Sequence, residues 1–169
     1  MNALGHAINV ANTLGRYLPD APPQVVAACL LHAIPQWPMT GEPAHEFVEA
    51  QCGVEARLLL EALRAEHHAM ALPSQRAVDG HLRLLRTMPW LAHSALSFKI
   101  VSLQYATAYS AQGRPDAAAA WKGRVAGGSQ LPYLRQLRAL AAELVPAVMA
   151  DDFARLLDQC LPMTAATSR

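Results

Sequence analysis

Charged residues are scarce in this chain of 169 residues: they make up 16% of it, whereas about 25% is usual in a soluble protein. The 14 lysines and arginines nearly balance the 13 aspartates and glutamates, which gives a net charge of +1. We therefore expect no nucleic-acid partner and no binding to an anionic membrane, since both need a strongly basic surface. A disordered chain is excluded as well, because 53% of the residues are hydrophobic.

Cysteine motifs are also missing. The three cysteines, Cys29, Cys52 and Cys160, lie far apart, and no CxxC pair occurs. This spacing predicts neither a disulfide framework nor a cysteine-based zinc site, and it favours a reducing, cytoplasmic location. The first residues lack the basic stretch and apolar stretch of a signal peptide, so we expect none. The longest apolar run, residues 25–31, is too short to cross a bilayer.

Strand-like alternation with hairpin turns is absent too, and neither a long linker nor an internal repeat interrupts the sequence. Apolar residues instead recur with helical spacing along almost the whole chain. We therefore predict an all-α helical bundle that forms a single domain over residues 1–162, followed by a frayed tail at residues 163–169.

The first two helices are predicted from their apolar patterns. The first helix carries an apolar stripe at Leu4, Ile8, Ala11 and Leu14. The helical spacing of this stripe predicts that it forms the buried face of an amphipathic helix. The second helix, residues 24–34, is apolar on nearly every face, so we place it in the middle of the core.

Glycine, serine and proline mark the boundaries of the later helices. Gly53 closes a short helix, Ser74 is a candidate N-cap for a helix that runs to Thr87, and Pro146 predicts a kink. Further helices are predicted at residues 45–51, 54–68, 90–112, 116–124, 131–149 and 151–161.

Two short segments carry a family resemblance: HAINVA at residues 6–11 and AACLLHAIPQW at residues 27–37. They resemble the "HPxxVA" and "AALLHDxxED" motifs of HD-domain phosphohydrolases, and more narrowly of the RelA/SpoT-type guanosine tetraphosphate hydrolases. Residues 52–63 and 99–106 are similar to two further motifs of that family. The resemblance covers nearly the whole chain and implies an HD-type helical bundle.

In that family, two histidines and two aspartates hold one divalent ion, typically manganese. His6 and His32 match the histidines, but Ala33 and Ser102 stand where the two aspartates are expected. Two imidazoles and a hydroxyl make a poor site for manganese or magnesium, which prefer several oxygen ligands. We therefore expect no metal and no cofactor, and a scaffold whose hydrolytic centre is lost.

Gln36 and Trp37 replace the carboxylate pair that positions the attacking water in the family. An indole provides a flat apolar wall with one hydrogen-bond donor, which suits an aromatic or carbonyl-bearing ligand. Alternatively, Trp37 plugs the vacated site. The sequence leaves both possibilities open.

The residues that match the family site, with polar or aromatic neighbours, form the candidate site. Its candidate catalytic residues are His6, His32 and Lys99, and its candidate ligand-binding residues are Gln36, Trp37, Ser102 and Tyr105. A histidine can act as a general acid or base without a metal because its ordinary pKa is about 6.5. Alternatively, both histidines are partly buried remnants, and Lys99 either extends to the surface or lines the pocket.

The leading hypothesis is a repurposed pocket that binds a neutral or anionic small organic molecule and transforms it, if at all, by histidine acid–base chemistry. The alternative is a non-catalytic pseudoenzyme that acts as an interaction or regulatory module. High apolar content with few charges makes a homodimer plausible under both hypotheses. The other histidines are expected on the solvated surface: His45, His67, His68, His81 and His93.

Overall fold

The computed structural model describes residues 3–32, 42–71, 74–111 and 130–160. Within these ranges the chain forms eight α-helices and no β-strand, which confirms the all-α prediction. The helices are α1 (Ala3–Tyr17), α2 (Pro23–His32), α3 (Glu42–Cys52), α4 (Val54–Ala71), α5 (Gln75–Thr87), α6 (Pro89–Ala111), α7 (Leu131–Leu144) and α8 (Ala147–Cys160).

The centre of the bundle is α6, which packs against α1, α2, α4, α5, α7 and α8. Its buried residues lie on all sides of the helix, among them Leu91, Leu96, Ile100 and Leu103. A helix that is apolar all round is stable only where neighbours cover every face. The predicted helix at 90–112 is therefore confirmed as a long buried element.

The buried face of α1 differs from the predicted stripe. Leu4 and Ile8 are 57% and 45% exposed, whereas Ala7, Val10 and Leu14 are fully buried. Apolar side chains occupy two neighbouring rows of α1, and α6 and α2 cover only one of them. Helical spacing alone cannot tell which row is covered, so the prediction was wrong for Leu4 and Ile8.

The second helix is not the middle of the core. In α2 the fully buried residues are Val25, Ala28 and Cys29, and the helix lies mainly between α1 and α4. The helix at the centre of the core is α6, because it is longer than α2 and contacts more of the other helices. The predicted end of this helix at Ile34 falls outside the described residues.

Two predicted helix boundaries are confirmed. Gly53 separates α3 from α4 with a φ of 89°, a conformation that favours glycine because it has no Cβ. Its N–H donates to the Glu49 carbonyl over 2.9 Å, which closes α3. At the start of α5, the Ser74 side chain accepts from the Ala77 N–H, with Oγ and N 3.2 Å apart.

Pro146 ends a helix instead of kinking one. α7 stops at Leu144, Val145 is extended (φ −127°, ψ 164°), and α8 begins at Ala147. Proline disfavours helical geometry in the residue before it and cannot donate its own N–H, so the chain breaks there. The predicted gap between residues 149 and 151 is therefore wrong, and Ala150 lies inside α8.

The predicted helix at residues 116–124 and the tail at residues 163–169 fall outside the described residues. Among the helices that the structure does describe, none combines the length and apolar character that a membrane span requires.

Candidate functional site

Two of the predicted site residues, His6 and His32, meet around one aromatic ring. His6 lies in α1, His32 is the last residue of α2, and the ring belongs to Phe98 of α6. The ring centroids of His32 and Phe98 are 4.5 Å apart in an edge-to-face arrangement, and those of His6 and Phe98 are 6.0 Å apart. The packing of α1 and α2 on α6 thus brings together two histidines that are 26 positions apart in the sequence.

The environment of His6 favours its neutral form. Burial lowers the pKa of this histidine, because the charged imidazolium loses hydration that nothing nearby replaces. A neutral imidazole has one nitrogen that donates a hydrogen bond and one that accepts. Near neutral pH, His6 can therefore accept a proton from a group placed beside it.

Tyr105, a predicted ligand-binding residue, connects the histidines to the surface. Its ring centroid is 6.2 Å from that of His6, and its hydroxyl accepts a hydrogen bond from the side-chain amide of Asn9. Tyr105 is half-buried, with part of its side chain open to solvent. The hydroxyl and the amide together extend the polar surface outward from His6 between α1 and α6.

This polar surface lines an open cleft of about 420 Å³ between α1 and α6, which we call the α1–α6 cleft. Within the described parts of the chain, its lining contains one cationic side chain, three amides, two hydroxyls and no carboxylate. The lining residues are Asn9, Asn12, Thr13, Arg16, Val101, Gln104, Tyr105 and Ala108. The volume falls within the range of small-molecule sites, roughly 300–1,000 Å³.

The cation of the cleft is held at its edge by a tyrosine and a carboxylate. The Arg16 guanidinium lies over the Tyr17 ring, 4.6 Å from its centroid, and 3.9 Å from Asp152. Asp152 also accepts from Arg155 over 2.7 Å and from the Tyr17 hydroxyl over 2.5 Å. Since two arginines share one carboxylate, this group of residues has an excess positive charge beside the cleft.

Lys99 is directed away from the two histidines. Its Nζ lies 3.1 Å from Oε1 of Glu66 in α4, and its side chain is 20% exposed. The phenol of Tyr133 in α7 is part of the same cluster, since its hydroxyl donates to Glu66. Lys99 therefore faces α4 and α7, whereas His6 and His32 meet on the side of α6 that packs against α1 and α2.

The remaining predicted site residues are less defined. Ser102 is half-buried in α6, one turn beyond Phe98. Gln36 and Trp37 fall outside the described residues, so whether Trp37 lines or plugs the pocket stays a prediction. Among the residues that the structure describes, no group of three or more histidines, cysteines and carboxylates has the geometry of a metal site.

Sequence reasoning missed a second group of titratable residues. His81 was predicted to be on the surface but is 6% exposed, and Glu66 is 3% exposed. The apolar rows contained a signal for both: Glu66 follows Leu59 and Leu63 at helical spacing. His81 similarly lies between Val78 and Leu85 on the apolar face of α5. A polar residue at a position of the apolar stripe is buried with that stripe, and this spacing, not the residue type, determines the exposure of Glu66 and His81.

Comparison with known protein families, curated proteins and solved structures finds no match to this chain. The resemblance to HD-domain phosphohydrolases consequently depends on the short motifs quoted above. The function has to be inferred from the chain's own side chains and their arrangement.

Proposed function

We propose that this protein is an HD-type helical bundle that has lost metal-dependent hydrolysis and binds a small organic anion in the α1–α6 cleft. The observation that carries the proposal is the position of Tyr105, which lines the cleft and lies beside His6. A residue predicted from the sequence as ligand-binding thus connects a predicted catalytic histidine to an open cleft.

The HD-type origin is supported by the geometry of the two histidines. His6 and His32 come from consecutive helices and pack on Phe98, one turn before Ser102 in the same helix. The resemblance implies such a convergence of three helices. The residues that would supply the family's aspartates are Ala33 and Ser102, which cannot compensate the charge of a divalent ion.

The anionic character of the ligand follows from the lining of the cleft. Arg16 can present two parallel N–H groups to a carboxylate or phosphate, and the amides of Asn12 and Gln104 can donate to the same oxygens. Among the residues that the structure describes, none that lines the cleft has a carboxylate that would repel an anion. A cation would be repelled by Arg16, the charged side chain among the described lining residues, whose nearby carboxylate, Asp152, is already shared with Arg155.

His6 and Tyr105 supply the chemistry of the site. The Tyr105 hydroxyl would donate a hydrogen bond to the ligand in the cleft. The neutral imidazole of His6 lies behind Tyr105, outside the lining residues, and would accept a proton from a ligand group that reaches past the Tyr105 ring. Any transformation of the ligand would therefore be a metal-independent proton transfer, and its rate would fall as His6 becomes protonated at low pH.

The test uses benzoate and benzamide, two probes of nearly equal shape that differ in charge. We expect benzoate to shift the amide resonances of residues that line the α1–α6 cleft, and benzamide to bind about tenfold more weakly, as the loss of a charge-assisted hydrogen bond implies. Arg16→Met should remove most of this preference. Arg138→Met is the matched control, because Arg138 pairs with Asp158 between α7 and α8.

The outcomes separate the parts of the proposal. Equal binding of the two probes in the cleft would contradict the anionic ligand class and leave a small-molecule site. Absence of binding by both probes would contradict the site itself and favour the alternative, a pseudoenzyme that acts through other proteins. Exposed Leu4 and Ile8 on α1 are the observation that favours this alternative, and a homodimer stays a prediction.

A further inference from the structure

A charged cluster lies inside the bundle, apart from the α1–α6 cleft. Oε1 of Glu66 in α4 accepts from Nζ of Lys99 in α6 over 3.1 Å and from the hydroxyl of Tyr133 in α7 over 2.5 Å. Tyr133 is fully buried, and Glu66 is nearly so. One carboxylate oxygen thus links three helices that are far apart in the sequence.

A fourth helix contributes a group that lacks a hydrogen bond. Nε2 of His81 in α5 lies 4.0 Å from the same Glu66 oxygen and is buried without a hydrogen-bond partner among the described residues. The groups that face His81 are Glu66 from α4, Lys99 from α6 and Tyr133 from α7. The ion pair of Arg86 with Glu143 also joins α5 to α7, but it lies at the exposed surface.

The charge of this cluster depends on one proton. With His81 neutral, the negative charge of Glu66 is balanced by Lys99, and the buried cluster has no net charge. A proton on His81 gives the cluster a net positive charge and places two cations around one carboxylate. Burying an uncompensated charge is strongly unfavourable, so the folded protein resists this protonation.

We propose that this cluster makes the docking of α5 sensitive to acid: a proton taken from solvent by His81 loosens α5 from α4, α6 and α7. α5 is suited to such a response because it is attached to the bundle through one buried face, and His81 lies on that face. The buried residues of that face are Val78, His81, Leu82 and Leu85. Local opening of one such helix requires less free energy than global unfolding.

The direction of the pH effect follows from linkage. Burial lowers the pKa of His81, Lys99 lowers it further, and Glu66 opposes both. The folded or docked state therefore binds this proton less readily than the unfolded state, whose histidine pKa is about 6.5. Stability is fully present above that value and is lost as the pH falls through it toward the lower pKa of the docked state.

Glu66 adds a separate effect at lower pH. Burial alone would raise the pKa of this carboxyl, but the charges of Lys99 and His81 and the hydrogen bond from Tyr133 lower it overall. Its contribution to stability is present above the ordinary carboxyl pKa, about 4.3, and is lost below it. Between pH 5 and 7 the response of α5 therefore reports on His81 and not on Glu66. Burial also lowers the pKa of His6 in α1 and of His93 in α6, so the readout must be specific to α5.

The test compares the full chain with the variant His81→Phe by hydrogen exchange at pH 7.5 and pH 5.5. In the unmodified protein we expect the protection factors of α5 amides to fall severalfold at pH 5.5, with a limit of about tenfold that is set by the pKa of about 6.5 in the undocked state. Those of α8 should change less, because the ion pairs and the hydrogen bond described for the cluster join α4, α5, α6 and α7. In His81→Phe the α5 protection factors should be nearly independent of pH in this range.

The control variant is His45→Phe, which removes a histidine that pairs with Glu61 at the surface between α3 and α4. It should keep the pH response of α5. If His81→Phe does not fold, the imidazole of His81 can be titrated by NMR in the unmodified chain, where we expect a pKa below 6.5. A pKa at or above that value, or an α5 response that persists in His81→Phe, would overturn the proposal.

Discussion

Glu66 is a buried carboxylate whose charge is balanced, among the residues that the structure describes, by Lys99. Tyr133 donates a hydrogen bond to it, and burial, reinforced by this negative charge, raises the pKa of the phenol well above its ordinary value. Removing one member of a buried ion pair is generally worse than removing both, because the remaining charge stays buried without compensation. At the scale of the residue, Glu66 and Lys99 therefore form an ion pair in which replacing one partner is expected to cost more stability than replacing both.

We expect Lys99→Met to destabilise the protein by about 3 kcal/mol, since it leaves Glu66 without its cation. The double variant with Glu66→Leu should recover part of this loss, because no charge then remains unpaired, although the buried Tyr133 hydroxyl loses its acceptor. Denaturant unfolding of the two single variants and the double variant at pH 7.5 forms a double-mutant cycle that measures the coupling. Additive single effects would show that the two side chains do not interact.

His6, His32 and Tyr105, which the family resemblance and the residues near its motifs grouped into one candidate site, lie close together around Phe98 and His6. Whether they form a functional site stays a prediction. The sequence did not pair Lys99 with Glu66. Those residues are 33 positions apart, on helices whose relative rotation depends on the packing of the whole bundle.

At the scale of the element, the α3–α4 junction depends on the backbone of Gly53. Its φ of 89° lies in the left-handed region, and a Cβ there would meet only Gln24 at 4.0 Å. A substitution at this position is therefore strained by the backbone and not by a steric clash. Gly15 in α1 is the opposite case: it has an ordinary helical conformation, and a Cβ there would meet nothing within 4 Å.

Two alanine substitutions should consequently have opposite signs. Gly53→Ala should destabilise the protein by about 1–2 kcal/mol, the usual penalty of the left-handed conformation for a residue with a Cβ. Gly15→Ala should stabilise it by about 0.5–1 kcal/mol, since alanine loses less backbone entropy in a helix. Denaturation midpoints of both variants are the measurement. A stabilising Gly53→Ala would contradict the backbone conformation at this junction.

Helix boundaries were predictable where a side chain or ring acts on its own backbone. Ser74 caps α5 and Gly53 closes α3 as expected, because both effects are local. Pro146 shows the limit of the prediction: the sequence located the disturbance but not its form. Whether a proline kinks or ends a helix depends on how the segments on either side pack.

At the scale of the molecule, most of the other helices pack on α6. A change in its buried side chains should therefore weaken the whole bundle. Leu96 is fully buried in α6, whereas Leu4 of α1 is 57% exposed. The two leucines form a matched pair, because the same atoms are removed from an enclosed and from an open environment.

We expect Leu96→Ala to destabilise the protein by about 3 kcal/mol, the sum of lost burial and a residual cavity. Leu4→Ala should change stability by less than about 0.5 kcal/mol. If the helices form a single domain, far-ultraviolet and near-ultraviolet circular dichroism should give one coincident unfolding transition in both variants. Two separate transitions would contradict the single domain predicted from the sequence.

The sequence by itself determined the all-α class, the positions of most helices and the absence of acidic residues at positions 33, 36, 37 and 102. These properties follow from local periodicity, caps and residue identity. The tertiary structure alone decided which row of α1 is buried, which helix is central and which partner Lys99 takes. Each of these depends on the relative rotation of helices, which is set by side chains from several helices packing at once.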